Sequence, residues 1–470
     1  MTTAVPSTLD RLRDGVREHW ALSWAVTLVI GLLAVIGVML VLAPPQGELS
    51  DQLVLGGMVR HDQLAQIFRT MVILGGALSC LVTMGGSRLQ DRGDFYAVLV
   101  VTVIGTSLMS AASDLIMGFL ALEMTSITAY LLVGYLRGDA KSSEAGLKYF
   151  LFGAFTSAIS LYGLTLLYGF TGETNFYRLG GVLGRADLAD GPVVAAMVLI
   201  GVAFAFKISA VPVHFWTPDV YEGAPTPITT LLSTASKAGS MALLLRFFLA
   251  VFPPADLLGA VEGVKNYSEF WVQLAAVLAV ISMTLGNVLA LVQDNVKRML
   301  AYSSIAHAGY LLAGVGAMGW SLNSYPGQGV LMYLAAYTFM NLGAFGVLTY
   351  LKAQHPHSFD YSLRSLSGLG RKSPWAAVLL TLFMLSLTGI PGTAGFIGKF
   401  YVFAGVVRAD LVWLAVLAVA LSAVSAYYYL RVVIVMFFKE PEVEFTVKSP
   451  ISGGMAAGLG LSAAATLVIG

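Results

Sequence analysis

Four ionisable side chains lie inside long apolar stretches of the sequence: Glu123, Lys207, Lys237 and Lys399. An ion at the centre of a bilayer costs about 2.5–3.5 kcal/mol on insertion scales, so each needs a partner, water or loss of its charge. Burial favours the neutral form of a lysine, and a nearby carboxylate opposes that preference. A lysine placed in this way can take up and release a proton. Buried ion pairs that only fix helix packing are the alternative, but they explain four such groups poorly.

Two histidines add to this set. His307 lies midway along another apolar stretch, where it is either a proton relay or a hydrogen-bonded core side chain. His214 lies close to Trp216 and to a proline, and we interpret it as a structural or hydration residue. Two histidines this far apart, with no cysteine partner, do not predict a metal site.

The segment 212–227 is the most distinctive in the sequence, because four prolines interrupt its helix. It contains Asp219 and Glu222, and a further charged residue, Lys148, lies near the end of another apolar stretch. We interpret these groups either as a funnel for proton uptake or as structural groups that fix helix ends.

Other residues are given structural roles. Arg246 lies near the end of an apolar stretch, where it can snorkel or face lipid headgroups, and we assign it a mostly structural role. The tyrosines at 427–429 are expected to anchor a helix at the membrane interface. The only cysteine, Cys80, can form neither a disulfide framework nor a CxxC site for metal or redox chemistry.

The elements that must position these residues are membrane helices. The 470 residues are 57% hydrophobic and 11% charged, whereas a soluble domain carries about 25% charged residues. The net charge of +1 gives no basic excess for nucleic acid. Stretches of about 20 apolar residues predict 13 transmembrane spans. They lie at 21–43, 64–86, 94–112, 114–136, 145–170, 190–222, 227–252, 270–293, 298–319, 328–351, 374–406, 410–436 and 454–470.

Two of these spans, 190–222 and 374–406, are too long for simple helices and contain proline. Backbone breaks at membrane depth are tolerated only inside protein or beside a wet cavity. One broken helix falls in each of two five-helix units. The second unit begins after an odd number of spans, so it is predicted to be inverted relative to the first. The fold class is therefore an all-α polytopic membrane protein with two inverted repeats. The predicted regions are an amphipathic segment at 1–20, N-terminal helices within 21–93, units at 94–252 and 270–436, and a final helix at 454–470.

Lysine and arginine predict the orientation. Of the 20 such residues outside the spans, 15 fall on the side that holds the N-terminus and five on the other. The positive-inside rule makes the first side cytoplasmic. Leu9, Leu12 and Val16 fall at helical spacing behind Ser7 or Thr8 as a cap, so the segment 1–20 is expected to form an amphipathic helix on the cytoplasmic surface; a frayed tail is the alternative.

Several stretches resemble a known family, the proton-pumping antiporter-like subunits of respiratory complex I (NADH-quinone oxidoreductase), and within it the subunit N type. The resemblance covers about 64–437. It is carried by the stretch around Glu123 and by three further runs. These are WTPDVYEG at 216–223, KRMLAYSSIAH at 297–307, and SLTGIP at 386–391 with GFIGKF at 395–400. Bacterial members usually have 14 helices, so one near the N-terminus is expected to be missing from this sequence.

The resemblance implies a proton relay. Glu123 is similar to the carboxylate that pairs with the first buried lysine, Lys207; Lys237 matches the central lysine and Lys399 the one on the second broken helix. His307 falls where a connecting polar axis would run.

The resemblance also implies a setting: a bacterial inner membrane, partner membrane subunits of the M, K, L, A, J and H types, a peripheral arm, and contact with lipids. NADH, FMN, iron–sulfur clusters and quinone would be held by partner subunits, and this chain would bind no cofactor or metal of its own.

Two other functions share these motifs. One is the equivalent subunit of the ferredoxin-linked photosynthetic complex, which nothing in the sequence separates by electron donor. The other is a subunit of an Mrp-type cation/proton antiporter. The residues of 212–227, which resemble the subunit N type, argue against this function. A purely structural membrane subunit would not need the buried lysines.

Overall fold

The computed structural model describes residues 25–39, 42, 44, 48–85, 89, 92–185, 190–254, 267–320, 325–356, 358–442 and 451–470. The predicted amphipathic segment at 1–20 lies outside the described residues. The described part is built from helices and one two-stranded antiparallel hairpin, which pairs β1 (Leu53–Val54) with β2 (Val59–Arg60). Short 3-10 turns span Leu55–Gly57 and Arg364–Leu366.

The helices are numbered in chain order. They are α1 Ala25–Met39, α2 Leu49–Gln52, α3 Gln63–Thr83, α4 Gly93–Met109, α5 Leu115–Val133, α6 Ala140–Thr171, α7 Phe176–Arg185, α8 Asp190–Ile208, α9 Trp216–Gly223, α10 Thr226–Val251, α11 Ser268–Leu291, α12 Val296–Trp320, α13 Tyr325–Gln354, α14 Leu369–Lys372, α15 Pro374–Thr388, α16 Ala394–Arg408, α17 Val412–Phe438 and α18 Gly453–Val468.

Eight of the described helices are long and apolar enough to cross a membrane, and four shorter apolar helices accompany them. Each of the 13 predicted spans coincides with one helix or with two successive helices. The chain is a multi-pass helical membrane protein, and the count of 13 is compatible with this arrangement.

Both predicted breaks are present. The first separates α8 from α9, and the second separates α15 from α16. The second follows Gly389, whose φ of 91° is a left-handed conformation that glycine adopts at little cost. A helix that ends inside the protein leaves carbonyl oxygens to be satisfied. The indole of Trp216 donates to Phe206 O at 3.2 Å at the first break, and Lys399 fills this role at the second.

The two five-helix groups pack in corresponding ways. In each, the first two helices form a hairpin (α4 with α5, α11 with α12), and the long third helix packs on both halves of the broken fourth (α6 on α8 and α9, α13 on α15 and α16). The correspondence favours the predicted repeat. The inversion of the second unit stays a prediction.

Basic residues from several predicted loops lie together in the structure. Arg92, Arg137, Lys141, Lys297 and Lys352, all predicted on the N-terminal side, line one cavity. The structure thus places loops that are distant in sequence at the same end of the helix assembly.

Candidate functional site

The first buried lysine, Lys207, lies at the end of α8, immediately before the break. Its ammonium donates a hydrogen bond to Ser126 Oγ at 2.6 Å. Glu123, one turn earlier on α5, accepts instead from Ser157 Oγ at 2.5 Å. Within the described part of the chain, Glu123 and Lys207 therefore form no direct ion pair. Two separate hydrogen bonds replace the expected pair. Their residues on α5, Glu123 and Ser126, are three positions apart and so share one face of the helix.

Aromatic rings enclose the Lys207 ammonium. Its Nζ lies 5.7 Å from the ring centre of Tyr130 and 5.8 Å from those of Tyr149 and Phe206, within the range of cation–π attraction. It uses one of its three donors on the described residues, and the buried Tyr130 hydroxyl has no partner among them. Polar groups left open in this way are the usual partners of buried water.

The central lysine, Lys237, directly follows a π-helical turn at Leu232–Ser236 within α10. Such turns often mark functional sites. Its ammonium donates to Ser304 O at 2.8 Å and to Ser304 Oγ at 2.6 Å, and it lies 5.6 Å from the ring centre of Tyr337. Tyr221 of α9 approaches the same serine hydroxyl at 3.4 Å. Ser304 therefore joins the first broken helix to the central lysine.

His307 follows Ser304 by one turn of α12. Its Nδ1 meets the hydroxyl of Tyr333, and its Nε2 meets that of Tyr429 at 3.1 Å. The Tyr429 hydroxyl is also bonded to Ser303. Because a neutral imidazole donates through one nitrogen and accepts through the other, this arrangement can pass a proton between two hydroxyls.

The role predicted for 427–429 is therefore wrong for two of the three tyrosines. Tyr427 is exposed, but Tyr428 and Tyr429 are fully buried, and Tyr428 donates to Asn287 Oδ1 at 3.0 Å. The helical rotation between successive residues turns two of the side chains into the core.

Lys399 lies on α16, after the second break. Its ammonium donates to Leu387 O at 2.9 Å, Thr388 O at 2.8 Å and Ser422 Oγ at 2.8 Å, so all three donors are satisfied. Its Nζ lies 5.5 Å from the ring centre of Tyr310.

Shared aromatic residues connect these positions. Tyr337 contacts both Lys237 and His307, whose ring lies 5.0 Å away. Tyr310 contacts both His307, at 5.7 Å, and Lys399. The structure thus brings Lys237, His307 and Lys399 into one continuous polar and aromatic core. Tyr149 and Trp216, which stack at 4.4 Å, extend it from Lys207 towards α9.

The charged groups of the proline-rich segment form a different kind of cluster. Asp219 accepts from Lys148 and from Arg298, both at 2.7 Å, and Glu222 accepts from Lys141 at 2.8 Å and from Arg298 at 3.1 Å. These side chains are partly exposed at the end of the assembly. Interlocked pairs of this kind tie α6, α9 and α12 together, which favours the structural interpretation over proton uptake.

His214 lies in the connection between α8 and α9. It is partly buried, and its Nδ1 has no hydrogen-bond partner among the described residues. His214 Nδ1 therefore forms no hydrogen bond to the lysine core in the described part of the chain.

Arg246 binds a carboxylate inside the protein rather than a lipid headgroup. It is 3% exposed and forms a two-pronged ion pair with Asp62, at 2.7 and 2.8 Å. Burial alone would raise the pKa of Asp62, but the hydrogen bond and charge of Arg246 outweigh it, helped by Ala65 N–H and Arg60, and hold the pKa below its usual range.

Several residues of the core were not identified from the sequence: Ser126, Ser157, Ser304, Tyr333, Ser422 and Tyr429. A local signal exists for two of them. Ser126 lies three residues after Glu123, and Ser304 lies three before His307, so each shares a helix face with a buried ionisable group. For the others, the contacts join helices that are distant in sequence.

Two five-helix groups, each with a broken helix beside a buried lysine, have the layout of a transporter-type membrane protein. Comparison with known proteins agrees. The profile of the family described as "NADH:quinone oxidoreductase/Mrp antiporter, TM" matches residues 112–425.

Curated relatives narrow the class. The chain is 43% identical over 418 residues to NADH-quinone oxidoreductase subunit N of Trichlorobacter lovleyi, which covers 87% of this chain and 81% of the relative. It is 40% identical over 467 residues to NADH-quinone oxidoreductase subunit N 1 of Sorangium cellulosum, covering 97% and 89%.

Solved structures share the fold. A chain of respiratory complex I from Thermus thermophilus with bound Aureothin is 33% identical with a TM-score of 0.76, and the match covers 96% of this chain and 92% of that one. A chain of the Mrp complex from Dietzia is 19% identical with a TM-score of 0.77, covering 97% and 90%, which shows the fold alone.

The chain belongs to the NADH:quinone oxidoreductase/Mrp antiporter family and, within it, to the subunit N group of NADH-quinone oxidoreductases. It is therefore a proton-translocating membrane subunit of a multisubunit oxidoreductase. In the described part of the chain, no cluster of three or more histidine, cysteine, aspartate or glutamate residues is arranged to hold a metal ion.

Proposed function

We propose that this chain carries protons through the membrane along the buried lysine core, driven by electron transfer from NADH to quinone in partner subunits. The path runs from Lys207 through Lys237 and His307 to Lys399. Glu123, held on Ser157 near Lys207, sets how readily Lys207 keeps its charge. FMN, iron–sulfur clusters and quinone belong to the partners, which include further membrane subunits (M, K, L, A, J and H types) and a peripheral arm.

The observation that carries this proposal is the nature of the lysine partners. Lys207, Lys237 and Lys399 are 1–6% exposed, yet in the described residues each is held by hydroxyl or carbonyl oxygens and none by a carboxylate. A buried carboxylate partner would bind the charged form strongly and make proton release costly. Neutral oxygens stabilise the ammonium less, so the lysine can exchange its proton.

The proposed orientation rests on the positive-inside rule. The N-terminus and the cavity end, which carry most of the basic loop residues, face the cytoplasm of a bacterial inner membrane. The roles of Lys148, Asp219 and Glu222 are to fix helix ends at this surface, and His214 lines the break between α8 and α9.

The experiment measures quinone reduction and proton pumping together in membranes with the assembled complex carrying Lys207→Ala or Lys237→Ala. Loss of pumping, with electron transfer also slowed, supports the relay. The matched control is Lys148→Ala, which removes a lysine of the surface ion pairs and should leave both activities in place. Unchanged proton yield in the Lys237→Ala complex would refute the relay.

A further inference from the structure

A cavity of about 1730 Å³ opens at the predicted cytoplasmic end, between the start of α4, the end of α5 and the start of α6. It is larger than the roughly 300–1,000 Å³ typical of small-molecule pockets. The lysines and the histidine of the proton path described above do not line it, although Tyr130, whose ring lies 5.7 Å from Lys207 Nζ, does. Charged residues at the helix ends form its rim, and apolar side chains of α5 and α6 form the wall below them.

Five basic residues line the cavity, and three of them are already engaged. Lys141 pairs with Glu222, Lys297 donates to the carbonyls of Glu222 and Ala224, and Lys352 donates to those of Pro356 and Phe359. The guanidinium groups of the remaining two, Arg92 and Arg137, have no partner among the described residues. Both are exposed, so they are available to an anion that enters the cavity.

The two arginines converge on one point. The hydroxyl of Tyr135 donates to Asp94 Oδ2 at 2.6 Å and so joins the start of α4 to the residues that follow α5. Arg92 lies two residues before Asp94 and Arg137 two residues after Tyr135, so the two arginines flank this hydrogen bond, and both line the cavity. The cavity as a whole is lined by five basic and four acidic residues, a surplus of one positive charge.

The wall beneath this point is apolar and unpartnered. Ile127 and Leu131 lie one turn apart on α5, and Leu147 and Phe150 lie one turn apart on α6. These four side chains are 49–59% exposed. A charged rim above an apolar wall is the pattern of an amphiphile, whose charge meets the arginines and whose chains cover the wall.

We propose that this cavity is a binding site for one anionic phospholipid, whose phosphate lies between Arg92 and Arg137 and whose acyl chains cover the α5 and α6 wall. Basic pockets between membrane helices on the cytoplasmic side bind anionic headgroups in this manner. The proposal is independent of the proton relay, because it uses none of the buried lysines.

The test titrates the purified full chain in detergent with phosphatidylglycerol and counts bound lipid by native mass spectrometry. At about 1 kcal/mol for each basic residue near the headgroup, Arg92→Gln/Arg137→Gln should bind about 30-fold more weakly. Asp94→Asn removes the opposing charge and should bind about fivefold more tightly. The matched control is Arg364→Gln/Lys372→Gln, which removes two exposed charges that do not line the cavity and should leave the affinity unchanged.

Three probes separate the sources of the anion. Phosphatidylcholine, which has no net charge, should bind at least tenfold more weakly than phosphatidylglycerol. Inorganic phosphate and the deacylated headgroup should not compete, since neither covers the apolar wall. Equal binding of the two lipids, competition by inorganic phosphate, or an unaffected arginine variant would each overturn the proposal.

The assembled complex supplies the last measurement. Lipid extracted from it should fall by one phosphatidylglycerol per complex in the double arginine variant, and by none in the control. If the isolated chain binds lipid but the extracted lipid of the complex is the same in both variants, a partner subunit covers the cavity and the proposal is wrong.

Discussion

The hydrogen bond between Lys207 and Ser126 can be removed by a single substitution, Ser126→Ala. Lys207 is 6% exposed, and the serine hydroxyl, at 2.6 Å, is its one hydrogen-bond acceptor in the described part of the chain. A hydrogen bond to a charged group contributes about 1.5–3 kcal/mol. If that amount is lost from the charged intermediate, proton transfer slows about 10- to 150-fold.

We expect a value near the lower limit, about tenfold. The rings of Tyr130 and Tyr149 lie 5.7 and 5.8 Å from the ammonium and continue to stabilise the cation after the hydroxyl is removed. The assay is coupled quinone reduction and proton uptake in vesicles with the assembled complex.

Two variants make this result interpretable. Ser126→Thr retains a hydroxyl and should recover most of the activity. The Ser126 hydroxyl also donates to Leu122 O, one turn earlier on α5. Ser79→Ala removes a buried serine that makes the same type of bond, donating to Gly75 O at 2.8 Å, but that has no lysine partner among the described residues. If Ser126→Ala and Ser79→Ala have equal activity, the hydrogen bond to Lys207 plays no part in proton transfer.

Three further substitutions test other parts of the structure. Asp62→Ala should destabilise the chain by about 3–5 kcal/mol in detergent unfolding, since it leaves Arg246 buried and unpaired. Because the folded-state pKa of Asp62 is lowered, this stabilisation is complete above the ordinary carboxyl value and is lost as the pH falls through the lowered one; a pH-independent difference would contradict it. Tyr429→Phe removes a partner of His307 and, with about 1–3 kcal/mol at stake, should slow pumping without loss of assembly; normal pumping would exclude the histidine. Asp219→Asn breaks exposed pairs and should cost less than about 1 kcal/mol with pumping intact, whereas lost pumping would restore the uptake role.

The location of the buried charges could be predicted from the sequence, because insertion into a membrane depends on local composition. A span of about 20 apolar residues is a local property, and a lysine within it is at membrane depth whatever surrounds it. The breaks near Pro212 and Pro391 are local for the same reason, since a proline removes a backbone donor wherever it lies.

The partners of these charges could not be predicted in this way. Helices such as α5 and α6 are apolar on every side, so periodicity does not show which face is interior. Arg246 meets Asp62, 184 residues away, and His307 meets Tyr429, 122 residues away. Neither of these two pairs of partners could be identified from the sequence.

The sequence by itself therefore determined that the protein is a polytopic helical membrane protein with lysines at membrane depth and two broken helices. Only the tertiary structure decided that these lysines bind neutral oxygens, that Glu123 lies on Ser157 rather than on Lys207, and that two arginines at the rim of a cavity are left unpaired. The physical reason is that hydropathy and proline act on the chain locally, whereas the partner of a buried charge depends on which faces of distant helices are packed together.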